Sequence, residues 1–344
     1  MPVRAIVRVL ARQVKNKNYY NYNKGLAIMF YLLIFLIILV VFVASALAYL
    51  AYNASLIPPI SPISSLSITE KYENKYNIKF MTFKETADFL RNDSDAYVRN
   101  MSALDLHARH AKTYMDYIDN IEDTAITFTA EEKELLGKCA DKADNYFKMG
   151  QFKELEYANH INGNDIAGIK WIFANTYANQ FNHKIKEYEE GLPHTRENII
   201  FVSKNVLKYD ELNLTNTLIH EKIHIYQRYN SNIFDKIIKD MGLLEIDKKA
   251  YKSAKYIRSN PDTNNKIYYA PANAANAANA ANTANSAMVS DANVMVCLYR
   301  NDNPNSINDV IHKNYSMEHP YEKIAYEIAE NYYKYNKNKY VDIV

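Results

Sequence analysis

The sequence predicts an α+β chain, mainly helical, in which an N-terminal transmembrane helix precedes a domain with a small sheet and one chemically loaded helix. Three observations predict this: an uncharged apolar run at 26–50, apolar residues at helical spacing over 70–190, and short β-branched runs flanking HEKIH at 220–224. The 344 residues divide into a basic segment at 1–24, a transmembrane anchor at 25–51 and a Pro/Ser-rich spacer at 52–67. A helical region at 68–190 follows, then a region at 191–344 that holds the reactive residues and an Asn/Ala-rich insertion at 272–287.

The apolar run reads LAIMFYLLIFLIILVVFVASALAYL, and about 20 such residues cross the hydrocarbon core of a bilayer as a helix. Arg4, Arg8, Arg12, Lys15, Lys17 and Lys24 precede it without an acidic residue. The positive-inside rule then expects a single-pass protein with a cytosolic N-terminus and the remainder lumenal or extracellular. Ala44, Ser45 and Ala46 also suit a cleaved signal peptide, although the run exceeds the usual length of a signal core. Pro58, Pro59 and Pro62 mark the spacer as extended.

Beyond the spacer, Ala87, Leu90 and Tyr97, and then Tyr114, Tyr117, Ile118 and Ile121, recur at helical spacing. Thr129 with Glu132 matches a capping box, which starts a helix running towards Phe147. A second helical pattern is expected from Asp165 through Trp171, Phe173 and Tyr177 to Tyr188. Asn198 to Val202 (NIIFV), Ile267 to Tyr269 and Val294 to Tyr299 read as strands, and NIIFV is expected at a sheet edge. The triplet repeat at 272–287 has no charge and little to bury, which suits a solvated insertion. A last helix is expected from Pro320 through Tyr332.

Composition narrows the function classes. A hydrophobic content of 48% fills a core, so a disordered chain is excluded. With 41 basic and 39 acidic residues the net charge is +2, which gives no general attraction for nucleic acid. The sequence has no Gly-rich phosphate loop, serine nucleophile elbow or aromatic-basic groove. Cys139 and Cys297 are too few for a thiolate zinc site, and are expected as separate buried thiols, with one bridge as the alternative.

The chemistry concentrates in TLIHEKIHIYQR at 217–228. Residues four apart share a helical face, so His220 and His224 project side by side at the spacing a tetrahedral Zn²⁺ needs. Glu221 falls beside the metal, where it is the candidate catalytic base for a zinc-activated water. The best candidate for a third ligand is Glu322, since Pro320 suits the first turn of a helix from which Glu322 projects. Glu318, Glu327, Glu330 and His319 are rivals, with Glu327 about 140° around the helix from Glu322. Tyr226, Arg228, His194 and His319 are candidate donors to an oxyanion. The edge expected at NIIFV offers an extended substrate a place to add as a strand.

HEKIH followed by a distant HPYEKIAY resembles the gluzincin branch of the zincin metallopeptidases, whose HExxH helix gives two His and a later helix a Glu. It is similar to uncharacterised zinc peptidases of large DNA viruses and to bacterial domains with an HExxHxxQ helix, where Gln227 matches the final Gln. Arg196, Asn260, Pro261 and Asp262 belong to the matching stretch, roughly 192–333. Glu322 follows His224 by 98 residues, more than in compact members. Neither the Gly nor the third His of metzincins is present. The resemblance implies a zincin-like catalytic region that cuts peptide or protein substrates with bound zinc, on a cell or virion membrane. The alternative is a zincin fold without turnover that serves a membrane or virion structurally.

Overall fold

The computed structural model describes residues 77–176, 188–271, 293–311 and 318–341, all within a unit spanning Leu66–Val344. Its centre is a mixed sheet. Strands β1 (Ile78–Phe80), β3 (Trp171–Thr176) and β5 (Ile199–Ser203) run parallel, β4 (His194–Arg196) lies antiparallel on β5, and β2 (Ala125–Ile126) lies antiparallel on β3.

The sheet divides two cores because strand side chains alternate between faces. Trp171, Phe173, Ile200 and Val202 face a core built with α4 (Ala130–Met149), α6 (Glu211–Tyr229) and α8 (Pro320–Val341). Ile172, Ala174, Ile199 and Phe201 face a second core with α1 (Phe83–Asn92) and α3 (Tyr114–Ile121). Short helices α2 (Ala103–Ala108), α5 (Gly163–Gly168) and α7 (Ser231–Asp240) fill the periphery. A three-stranded sheet of β6 (Leu244–Ile246), β7 (Ile267–Tyr269) and β8 (Val294–Met295), and a pair of β9 (Leu298–Tyr299) with β10 (Val310–Ile311), complete the described residues.

Several expectations hold at the level of elements. The Thr129 capping box opens α4, with reciprocal bonds between Thr129 and Glu132. Cys139 and Cys297 are both buried and unpaired with each other. The strand expected over Val294–Tyr299 divides into β8 and β9, with the Val296 N–H between them donating back to the Val294 carbonyl instead of across a sheet.

Three expectations need correction. The helix expected across 165–188 is instead the central strand β3 over 171–176. Its apolar residues are nearly continuous because both faces are buried, and such a run carries no visible period-two pattern. NIIFV is not an edge, since β5 pairs with β3 on one side and β4 on the other.

The third correction concerns the N-terminal transmembrane helix and the single-pass localisation drawn from it. Among the described residues no helix is long and apolar enough to cross a membrane. The long helices carry charge along their length, as with Glu322, Lys323, Glu327 and Glu330 in α8. The apolar run at 26–50, the basic segment, the spacer and the insertion at 272–287 lie outside the described residues. Among the described residues the class is therefore α+β with mixed sheets, and none of their helices is suited to cross a membrane.

Candidate metal centre

Helix α6 is positioned before any ligand is considered. Asp210 caps its N-terminus by accepting from Asn213 N at 2.8 Å, and Leu214, Leu218, Ile219, Ile223 and Ile225 are buried in the larger core. Lys222, between the two histidines in sequence, is fully buried on another face of the helix. Its Nζ donates to Asp144 Oδ1 at 2.6 Å and lies 3.9 Å from the centre of the Trp171 ring, while Trp171 Nε1 donates to Asp144 Oδ2. One buried ion pair thus joins α6, α4 and β3. Burial depresses the Lys222 ammonium to about 8 and raises the Asp144 carboxyl, each against the pull of the other.

On the cavity side, His220 Nε2 and His224 Nε2 lie 2.9 Å apart, and Glu322 Oε2 lies 3.3 Å from the first and 3.6 Å from the second. Two donors bound to one tetrahedral zinc ion lie about 3.3 Å apart, so the residues present fit that ion. This is the only such trio among the described residues. Burial opposes charge on both His224 and Glu322, but their mutual attraction prevails. The His224 imidazole is raised and the Glu322 carboxyl is held well below its ordinary value.

A second layer of hydrogen bonds directs the ligand atoms. Gln227 Oε1 can only accept, so His224 Nδ1 carries the proton in their 2.8 Å contact and Nε2 presents its lone pair to the centre. Gln227 Nε2 in turn donates to Tyr321 O at 2.9 Å, fastening the start of α8 to α6. Asn260 Nδ2 donates to Glu322 Oε1 at 2.7 Å, which leaves Oε2 for the metal. His220 Nδ1 takes no hydrogen-bond partner among the described residues, and its ring packs on Tyr326 with centroids 4.4 Å apart.

Glu221 opens into the same cavity, of about 280 Å³. Burial pushes its carboxyl well above the ordinary value, Asp262 and Glu322 push it further, and Arg228 pulls it back. Its Oε2 is buried and takes no hydrogen-bond partner among the described residues.

The rivals to Glu322 are engaged elsewhere. Glu318 pairs with Arg258 at 2.7 Å, Glu327 accepts from Tyr157 and pairs with Lys323, and Glu330 is paired with Lys334 on an exposed face. His319 Nδ1 accepts from Tyr321 N and its Nε2 donates to Asn264 Oδ1. Burial depresses that ring to about 3.

The oxyanion candidates are corrected in the same way. Tyr226 packs on Phe234 in the core, and the Arg228 guanidinium donates to the carbonyls of Thr195, Glu197 and Pro261. His194 Nδ1 donates to Leu192 O, and burial lowers the ring's pKa, which favours the tautomer with Nε2 as an acceptor. Asn216 and Tyr326, which the sequence did not single out, are neutral donors on the cavity wall.

The sheet edge next to the cavity is β4, and it is sealed. In the β4–β5 hairpin Arg196 and Ile199 close the turn, so alternation leaves Thr195 facing outward. Thr195 N donates to Asp262 Oδ1 at 2.6 Å, and Thr195 O accepts from Arg228. Pro193 has no N–H. The expected addition of a substrate strand therefore meets an edge already occupied by the turn at Asn260–Asp262.

No family model matches the chain, and no curated protein or solved structure matches it either. The likeness to peptidases of large DNA viruses accordingly gains no support from relatives.

Proposed function

We propose that the chain is a zinc-dependent metallopeptidase of gluzincin type, with His220, His224 and Glu322 as ligands and Glu221 as general base. The observation that carries this reading is the convergence of two imidazole nitrogens and one carboxylate oxygen within 4.8 Å, beside a second carboxylate, Glu221, that lines the same cavity. Zinc, when bound, lowers the pKa of a coordinated water to about 7 and polarises the carbonyl to be cut. Glu221 would take up the proton of the attacking water at Oε2 and hand it to the leaving nitrogen, and burial, which raises the carboxyl's affinity for a proton, suits it to the first of these tasks. The Asn216 side-chain amide, on the cavity wall, is a donor for the developing oxyanion.

One observation favours a second reading, a zinc-holding domain without turnover: the sealed edge of β4. Replacing Glu221 with Gln separates the two. Under the peptidase reading the wild-type chain binds one zinc and cleaves members of a broad peptide library, while Glu221→Gln keeps the zinc and loses cleavage. A wild-type chain that holds zinc stoichiometrically and cuts nothing supports the second reading.

A further inference from the structure

The cavity in front of the metal centre is lined by five carboxylates and two guanidiniums. Most of that charge is committed. Arg109 is paired with Glu189, Arg258 with Glu318 Oε2, and Glu221 and Glu322 belong to the proposed catalytic set.

Asp262 is different. Its Oδ1 accepts from the N–H and hydroxyl of Thr195, both at 2.6 Å, whereas Oδ2 takes no hydrogen-bond partner among the described residues. The residue is only 8% exposed and lines the cavity. Glu318, 7% exposed, repeats the pattern, with Oε2 on Arg258 and a buried Oε1 that takes no partner. Burial, with Glu322 and Asp262 nearby, pushes the Glu318 carboxyl up to about 7 against the pull of Arg258. A buried acceptor oxygen without a donor, as at Glu318 Oε1, is unfavourable, and a ligand that carries positive charge relieves it, with Asp262 Oδ2 as a second acceptor open to the cavity.

The sealed edge supplies an independent constraint. No N–H of Pro193 or Thr195 remains to align a peptide as an added strand, so a bound chain needs a side-chain anchor instead.

We propose that the cavity selects substrates bringing an ammonium group to Asp262 and Glu318, beside the bond to be cut. The identity of the ligand as a peptide rests on the peptidase reading. The ammonium can come from a free amino terminus or from a lysine side chain.

Calorimetric titration of the full-length, zinc-loaded Glu221→Gln chain tests this with four amidated tripeptides: Lys-Ala-Ala and Ala-Ala-Ala, each with a free or an acetylated amino terminus. Acetyl-Ala-Ala-Ala is expected to bind at least about tenfold more weakly than the best cationic peptide, the scale of one charge-assisted hydrogen bond. Tight binding of acetyl-Lys-Ala-Ala assigns the side chain, and tight binding of unacetylated Ala-Ala-Ala assigns the terminus. Asp262→Asn keeps an acceptor for Thr195 and is expected to remove the preference, as is Glu318→Gln. Equal binding of all four peptides by the parent, or binding of none, overturns the proposal without relying on either variant. Since the assay requires no turnover, charge-selective binding with no cleavage by wild-type protein removes the peptidase reading alone, and cleavage without charge preference removes the cationic anchor alone.

Discussion

His224 and Glu322 are each held by a single amide, Gln227 in one case and Asn260 in the other. Such outer partners fix a ligand's tautomer and direction, and losing one typically weakens metal binding about 10- to 100-fold. Gln227→Ala and Asn260→Ala are each expected to do so, measured by competition with a chromophoric chelator, and unchanged affinity in both would show that the outer layer does not tune the site. The convergence of His220, His224 and Glu322 was legible in the sequence because HExxH fixes two imidazoles one helical turn apart, and Pro320 marks the turn that presents Glu322. Glu318, Glu327 and His319 could not be set aside from spacing, since each is removed by a partner distant in sequence. Asn260 and Asp262 form a turn, with Asp262 N donating to Asn260 Oδ1 at 2.9 Å. Their reach into the cavity depends on where that turn is laid against β4 and α8.

Helix α6 has apolar residues on nearly all sides, and the one charge buried against the sheet is Lys222. Lys222→Met leaves Asp144 in the core with Trp171 Nε1 as its remaining donor. The expected loss is about 3–5 kcal/mol of unfolding free energy in urea, as for other buried pairs broken on one side. The double replacement Lys222→Met with Asp144→Leu is expected to recover most of it, because burial disfavours both charges. A single variant as stable as the parent would show that the pair does not anchor the helix. Elements with a punctuated start were legible: α4 begins at the Thr129 capping box and α8 begins at Pro320. Strand β3 was not, since a strand covered on both faces shows neither the alternation of a half-exposed strand nor a break from neighbouring helical spacing.

At the scale of the described unit, a metal at His220, His224 and Glu322 would tie α6 to α8 across 98 residues of sequence, reinforcing the Gln227 contact to Tyr321 O. A ligand that binds only the folded state stabilises it by about 4 kcal/mol at a free concentration a thousandfold above its Kd. Removing metal with a chelator is therefore expected to lower Tm by several degrees, and restoring zinc should reverse the change in calorimetry. An identical Tm with and without chelator would mean that no ion bridges the two helices. This long-range closure was only partly visible in sequence, where the motif announces the first helix and leaves the second to be chosen among several acids.

The most direct test of the central claim is zinc-edge X-ray absorption on the full-length protein reconstituted with one equivalent of zinc, alongside His224→Ala. Two nitrogen scatterers at about 2.0–2.1 Å and a carboxylate oxygen at about 2.0–2.2 Å are predicted for the parent, with one nitrogen lost in the variant. A parent that retains no zinc, or a shell that His224→Ala leaves unchanged, would contradict the account.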